Sequence, residues 1–192
     1  MKNKTIGFNI LMVLISVISV IVDQFTKWLA VTYVKPAGTI PIIKFGETEW
    51  VKFTYCENTG MSFSLLEGQR FILIALPILL IGVVGYLIFS GKINSKAMKI
   101  ALAFLAGGGI GNLIDRIFLG YVVDFIDFRI INFAIFNFAD ICAVLGGFAF
   151  AIMMVIEETK AEKAEKQKKQ EENKAAEDGN SRIYRNLRRH KA

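Results

Sequence analysis

The sequence predicts an all-α membrane protein: four transmembrane helices, with a small extracytoplasmic β-sheet between the first and second. Three observations predict it. Of 192 residues, 54 % are hydrophobic, and the mean hydropathy of +0.46 is too high for a soluble domain of this size. The apolar residues fall in four long blocks, the pattern of bilayer spans rather than of core helices. Between the first two blocks lies a stretch that alternates with the period of a strand.

The first block, Ile6 to Val22, keeps its helical pattern to about Ala30. It begins like a signal peptide, with Lys2 and Lys4 ahead of an apolar run. It then runs on too long, carries Asp23 and Lys27 and shows no small-residue cleavage site, so a retained span is expected. Phe71 to Phe89 is the second span, with Pro77 as a kink. Ile100 to Leu119 is the third and Phe138 to Ile156 the fourth. An even number of spans leaves both ends on one side. Lys2 and Lys4, then Lys92, Lys96 and Lys99, and finally a basic tail all fall on that side. Cytoplasmic loops carry the excess of Lys and Arg, so the expected orientation is N-in and C-in.

The first outer segment, about residues 35 to 68, holds the expected sheet. Glu49 to Cys56 sets Val51, Phe53 and Tyr55 on one face and Trp50, Lys52 and Thr54 on the other. Asn58-Thr59-Gly60 reads as a turn, and Met61 to Leu65 alternates again. Residues 1–156 therefore form the membrane domain. Residues 157–192 form a charged cytoplasmic tail without apolar periodicity, a solvated helix or a disordered segment. Eleven of the 23 Lys and Arg lie after residue 156, so the net charge of +6 describes the tail and excludes a nucleic-acid surface. Attraction of that tail to anionic lipid is the more specific reading of its charge.

Neither Cys56 nor Cys142 has metal or redox spacing, and His190 is the lone histidine, so no metal or organic cofactor is expected. The chemistry concentrates elsewhere. Ionisable groups inside spans are costly and mark functional sites. At about 1.5 Å rise per residue, Asp23 lies about 26 Å above Ile6, Asp115 about 22 Å above Ile100 and Asp140 about 24 Å above Ile156. Three carboxylates on three helices thus reach one outer depth, and the apolar run around Asp124 can return it to the same plane. Paired carboxylates share a proton, so one can accept from water while the other donates. Ser62 and Ser64 have no partner base at an informative spacing. Structural roles compete: Asp23 and Lys27 are four residues apart and can neutralise each other. Asp115 and Arg116 can form an ion pair, Asn112 and Asn137 can be interhelical glue, and Asp127 reads as a wet surface residue. The residues alone leave Asp23, Asp115, Asp124 and Asp140 open as the reactive groups, and leave a hydrolase level with a small proton- or cation-coupled transporter.

Five blocks in order resemble the lipoprotein signal peptidases (signal peptidase II) of bacteria. They are Asp23-Gln24-Phe25-Thr26-Lys27, Asn58-Thr59-Gly60 with Phe63, Gly108 to Arg116, Val123-Asp124-Phe125, and Phe136-Asn137-Phe138-Ala139-Asp140. The resemblance covers most of residues 6 to 156. It implies an aspartic endopeptidase that removes signal peptides from diacylglyceryl-modified prolipoproteins, cutting N-terminal to the lipidated cysteine. It implies Asp124 and Asp140 as the catalytic pair. Asp23, Lys27, Asn58, Gly60, Asn112, Asp115, Arg116 and Asn137 would shape the site and hold substrate backbone. The expected partners are membrane-anchored prolipoproteins, the bilayer and the inhibitor globomycin.

Overall fold

The computed structural model describes residues 2–60, 69–131 and 133–189. The expected strand at Met61 to Leu65, with Ser62, Phe63 and Ser64, and His190 lie outside the described residues. Residues Met1–Phe150 form one compact unit and Ala151–Ala192 a second.

Among the described residues four helices are long and apolar enough to cross a membrane: Gly7–Ala37, Arg70–Phe89, Lys96–Phe118 and Phe138–Glu171. The first comprises α1 (Lys2–Leu29), a π-helical turn (Ala30–Val34) and a short helix α2 (Lys35–Ala37) that ends at Gly38 with φ +74°. Helices α3 (Arg70–Phe89), α4 (Lys96–Phe118) and α5 (Phe138–Arg189) follow. Large apolar side chains such as Ile21, Leu79, Phe118 and Phe148 are more than half exposed. That much bare apolar surface belongs in lipid. The protein is a multi-pass membrane protein.

Helix α4 is the central element of the first unit. Half of its most apolar window is buried, against 17 % for each of the other three. Its composition explains why. Without a hydrophobic drive between helices in lipid, close backbone approach decides association, and small residues permit it. A Cβ on Gly107 would stand 2.7 Å from Ser19 Cβ on α1, and one on Gly108 would collide with the Ala139 carbonyl on α5. Ser16 Oγ donates to the Ala103 carbonyl across the α1–α4 seam at 2.8 Å. Met12, Val84, Leu102 and Ala103 fill the core where α1, α3 and α4 meet.

Among the described residues the sheet is three-stranded and antiparallel, in the order β1 (Thr39–Phe45), β2 (Thr48–Asn58), β3 (Val122–Phe128). Strand β2 contains the predicted Glu49 to Cys56. Its partner β1 carries Pro41 and irregular register, which hides it from a period-two reading. The third strand comes from between α4 and α5, not from the first outer segment. The sheet therefore joins both outer segments, pairing Cys56 with Asp124 and Asn58 with Val122. Val123 and Phe125 seat it on Ala30 and Val34 of the π-helical turn. Phe136 pairs back onto β3: its N–H donates to the Ile126 carbonyl, its own carbonyl accepts the Ile126 N–H, and its ring stacks on Phe128 at 5.7 Å.

Asp127 differs from expectation. It is 2 % exposed, accepting from Thr54 Oγ1 and from Arg129 Nε at 3.0 Å each. Pairing with β2 turns it inward, and two donors satisfy it there.

The second unit, Ala151–Ala192, is helical through Arg189. Its described side chains from Glu157 on are exposed, and Lys160–Glu157 and Lys169–Glu165 pair along the helix.

Candidate active site

The site is built from the ends of α1 and α4, the starts of β3 and α5, and the last residue of β2. Its base is a buried ion cluster. Lys27 Nζ lies 2.9 Å from Asp23 Oδ2 and 2.9 Å from Asp115 Oδ2, and donates to Asn112 Oδ1 at 2.8 Å. An ammonium has three donors, and all three are used. Asp23, Lys27 and Asp115 are 0 %, 3 % and 3 % exposed. Burying them is tolerable because every charge faces an opposite charge or a donor. The expected Asp23–Lys27 pair is present, but the partner of Asp115 is Lys27 rather than Arg116. Adjacent positions on a helix diverge by about 100°, so Asp115 and Arg116 face different neighbours.

This cluster is a bracket for the outer chain segments. Asp23 Oδ1 accepts the Ala139 N–H at 2.9 Å, in the first turn of α5. Asp115 Oδ2 accepts the Val123 N–H at 3.1 Å, one residue before Asp124. Gln24, which sequence reasoning did not single out, ties the bracket together. Its amide reaches Asp115 Oδ1 at 2.9 Å and Gly111 O at 3.2 Å. Its place beside Asp23 in the DQFTK block was the available signal. Gly111 must lack a side chain, since a Cβ there would lie 2.5 Å from Asp23 Oδ2.

Two asparagines connect the bracket to the outer carboxylates. Asn137 precedes α5 and acts as its N-cap. Its Oδ1 accepts the Asp140 N–H at 3.0 Å, and its own N–H donates to Asp140 Oδ2 at 3.1 Å. That reciprocal pair is a capping box, which starts the helix and fixes the Asp140 carboxylate in one operation. Asn137 Nδ2 donates to Asp124 Oδ1 at 2.6 Å and to Asn112 Oδ1 at 3.0 Å. Asn112 Nδ2 donates to Asp140 Oδ1 at 2.8 Å. The chain Asp124–Asn137–Asn112–Asp140 is therefore continuous, and Lys27 anchors its middle.

Asn58, at the end of β2, donates to Asp124 Oδ2 at 2.9 Å and accepts the Gly60 N–H at 3.0 Å in an Asx turn. The Gly60 carbonyl accepts from Arg116 Nη2 at 3.2 Å, while Arg116 Nε is buried without a partner among the described residues. Asp124 is 2 % exposed. Burial pushes its carboxyl up from the ordinary 3.8 to about 6, the bonds from Asn58 and Asn137 restrain that rise, and the charge of Asp140 adds to it.

Asp124, Asp140, Asn58, Asn112 and Arg116 line the polar end of a cavity of about 240 Å³. Its other wall is apolar: Leu76, Pro77, Leu80 and Ile81 of α3 and Leu105, Ala106 and Gly109 of α4. Sequence reasoning placed α3 in the membrane but saw no role for this face, because its residues differ little from lipid-facing ones. Among the described residues no group of three or more His, Cys, Asp or Glu is placed to hold a metal ion.

The arrangement is a pair of carboxylates joined through Asn137, the carboxyl of Asp124 pushed up by burial, at the head of an apolar slot. The family model described as Signal peptidase (SPase) II matches residues 15–156 and so contains the whole network. The chain belongs to the signal peptidase II family. It is thus a membrane-embedded protease, and the transporter reading falls away. A lipoprotein signal peptidase of Caldanaerobacter subterraneus is 39 % identical over 141 residues, 72 % of this chain and 91 % of that one. One of Brevibacillus brevis is 40 % identical over 134 residues, covering 69 % and 87 %. A solved bacterial membrane enzyme superposes with a TM-score of 0.71 at 29 % identity, covering 78 % of this chain and 90 % of its own.

Proposed function

We propose that this signal peptidase II is an aspartic endopeptidase that cleaves diacylglyceryl-modified prolipoproteins on the N-terminal side of the lipidated cysteine, with Asp124 and Asp140 as its acid–base pair. The observation that carries the proposal is the single asparagine shared by the two carboxylates. Asn137 bonds both, at the polar end of a slot whose remainder is apolar. A signal peptide is an apolar helix ending in a scissile polar bond, and the slot matches both parts. The acyl chains stay in lipid beside α3.

In this reading one carboxyl of the pair carries a proton and the other is ionised when the water attacks. The ionised carboxylate takes a proton from a water as that water attacks the scissile carbonyl. Its protonated partner donates to the carbonyl oxygen, giving a neutral gem-diol. On collapse the C–N bond breaks, a gem-diol hydroxyl returns its proton to the ionised carboxylate, and the proton of the other carboxyl passes to the leaving amine. The products are a signal peptide with a new carboxyl terminus and a lipoprotein with a free cysteine amine. No covalent intermediate forms. Asn58 and Arg116 stand beside the carboxylates and hold substrate backbone, while Asp23, Lys27 and Asp115 fix the positions of Asn112, Asn137 and β3.

The Lys and Arg distribution supports an N-in, C-in orientation in the bacterial inner membrane, with the site near the outer face. Globomycin, a cyclic peptide, would compete for the slot. The test is cleavage of a lipidated prolipoprotein by the purified protein, with the cut mapped by mass spectrometry. A single cut before the lipidated cysteine, blocked by globomycin and absent with the unlipidated precursor, is expected. Equal cleavage of the unlipidated precursor would refute the substrate assignment.

A further inference from the structure

A second groove lies between α1 and α3, with α4 as its floor. It holds about 370 Å³ and is lined by apolar side chains, among them Met12, Val17 and Ile21 of α1, Gly85 and Phe89 of α3 and Ile110 of α4. Among the described residues its polar lining is Ser16, whose hydroxyl is spent on the Met12 and Ala103 carbonyls. Ile81 and Ala106 line both this groove and the slot, so the two share a wall. From Met12 to Ile21 the groove runs about 14 Å, roughly one leaflet of a hydrocarbon core about 30 Å thick. A helix of that length is about 10–12 Å across and fills about three times the volume. The groove has room for an acyl chain rather than for a signal peptide.

One mouth of this groove is polar. Asn9 precedes Ser16, and Lys99 precedes Ala106, by two helical turns along the same faces of α1 and α4. The Ser16–Ala103 bond and the Lys96 ammonium, 5.8 Å over the Phe8 ring, hold those two helix ends together. Lys92 follows Phe89 by less than a turn. The mouth thus gathers Asn9, Lys92 and Lys99, with Lys96 beside them. Lys99 is only 8 % exposed, and among the described residues its ammonium has no hydrogen-bond or ion-pair partner. Asn9 Oδ1 is buried and likewise unpartnered among them. A long helical side chain leans toward the N-terminus of its helix, so Lys99 points to the mouth and not along the bilayer interior. No Asp or Glu occurs from residue 1 to 22 or from 68 to 114, so α1, α3 and α4 supply no countercharge at this end. A buried ammonium and a buried carbonyl oxygen without partners are costly, and an anion that carries a hydroxyl would satisfy both.

We infer that the groove binds an anionic phospholipid from the leaflet at this lysine-rich end. One acyl chain lies between α1 and α3 and backs the Ile81–Ala106 wall of the slot. The phosphate stands at Lys99, Lys92 and the positive N-terminus of α4, and a headgroup hydroxyl donates to Asn9 Oδ1. Phosphatidylglycerol carries both groups. Phosphatidylcholine neutralises its own phosphate and has no headgroup hydroxyl. The inference concerns binding alone and rests neither on the peptidase reading nor on the orientation.

The experiment titrates the full-length protein, stripped of lipid in detergent, with dioleoylphosphatidylglycerol or dioleoylphosphatidylcholine. Native mass spectrometry counts bound lipid, and the unfolding midpoint is followed in parallel. Each lysine near an anionic headgroup multiplies association about fivefold, so phosphatidylglycerol should bind ~tenfold or more tightly than phosphatidylcholine. It should also raise the midpoint, as any ligand of the folded state does. Lys99→Met should cut the preference about fivefold, and K92Q/K96Q/K99M should abolish it. Gly85→Leu should weaken both lipids about tenfold by filling the groove with apolar carbon. A Cβ at Gly85 meets nothing within 4 Å, so that variant keeps its fold. Glycerol phosphate, which has the headgroup chemistry and no chain, should not compete. Equal affinity for the two lipids, a preference that survives the triple variant, or unchanged binding by Gly85→Leu would overturn the inference. So would displacement of the lipid by glycerol phosphate, which would mark a free-anion site. Displacement by a synthetic signal peptide would overturn it too, by assigning the groove to a peptide.

Discussion

Lys27→Met is the sharpest perturbation of the buried bracket. Methionine keeps the length and most of the volume of lysine and removes the charge. The two carboxylates left behind, Asp23 and Asp115, are 0 % and 3 % exposed, and each loses a partner at 2.9 Å. Removing one member of a buried pair costs about 3–5 kcal/mol, because the other charge stays desolvated and unpaired. Here two charges share the loss. Asp23 retains the Ala139 N–H and Asp115 retains Gln24 and Val123 N–H, so the expected cost stays near that range rather than doubling. Denaturant unfolding in detergent micelles gives the stability change, and prolipoprotein cleavage gives the activity. The double variant Lys27→Met with Asp23→Asn should recover part of the loss, with a coupling energy of about 1–3 kcal/mol. A Lys27→Met protein within about 1 kcal/mol of wild type would refute the bracket, since so small a loss is what a surface substitution gives.

Other outcomes follow from the same geometry. Gly108→Ala should drive α5 away from α4, because the new Cβ meets the Ala139 carbonyl. Overpacking should cost about 1–3 kcal/mol, and displacing Asp140 by about 1 Å should lower kcat ~100-fold. Asp124 binds its proton more tightly folded than unfolded, so its contribution to stability is greatest below pH 3.8 and is lost as pH rises through about 6. At about 1.4 kcal/mol per unit that is about 3 kcal/mol, and Asp124→Asn should flatten the pH dependence of unfolding over this window. Asn58→Ala removes a bond that holds the Asp124 carboxyl down, so the basic limb of the activity profile should move to higher pH. A limb that stays in place would leave Asn58 a purely structural residue.

The network was legible in sequence to the extent that its parts are local. Asp23 and Lys27 pair at helical spacing, Asn137 and Asp140 stand at N-cap spacing, and the four spans are long enough to read directly. Depth counting brought Asp23, Asp115 and Asp140 to one plane, and the structure brings them into one hydrogen-bonded cluster. What could not be read is what long-range pairing decides. Strand β3 finds β2 across some seventy residues, and only that pairing turns Asp124 inward beside Asn58 and buries Asp127. Lys27 rather than Arg116 neutralises Asp115 because α1 packs on α4, a contact set by Gly107 and Ser19 and invisible to charge spacing. The cavity wall on α3 carries no polar residue and no periodic signal. Its role emerges from its position opposite the carboxylates.

The measurement that tests the central claim most directly is turnover of a lipidated prolipoprotein by Asp124→Asn and Asp140→Asn, each beside wild type in the same nanodiscs. Circular dichroism and unfolding midpoints would verify that both variants fold. If the two carboxyls are the acid–base pair, each substitution should lower kcat by at least ~1000-fold, because an amide can neither accept the proton of water nor pass one to the leaving amine. The double variant should be no worse than either single one, as expected for groups that act as a unit. Turnover within about tenfold of wild type in either folded single variant would contradict the assignment and return the reactive role to Asp23 or Asp115.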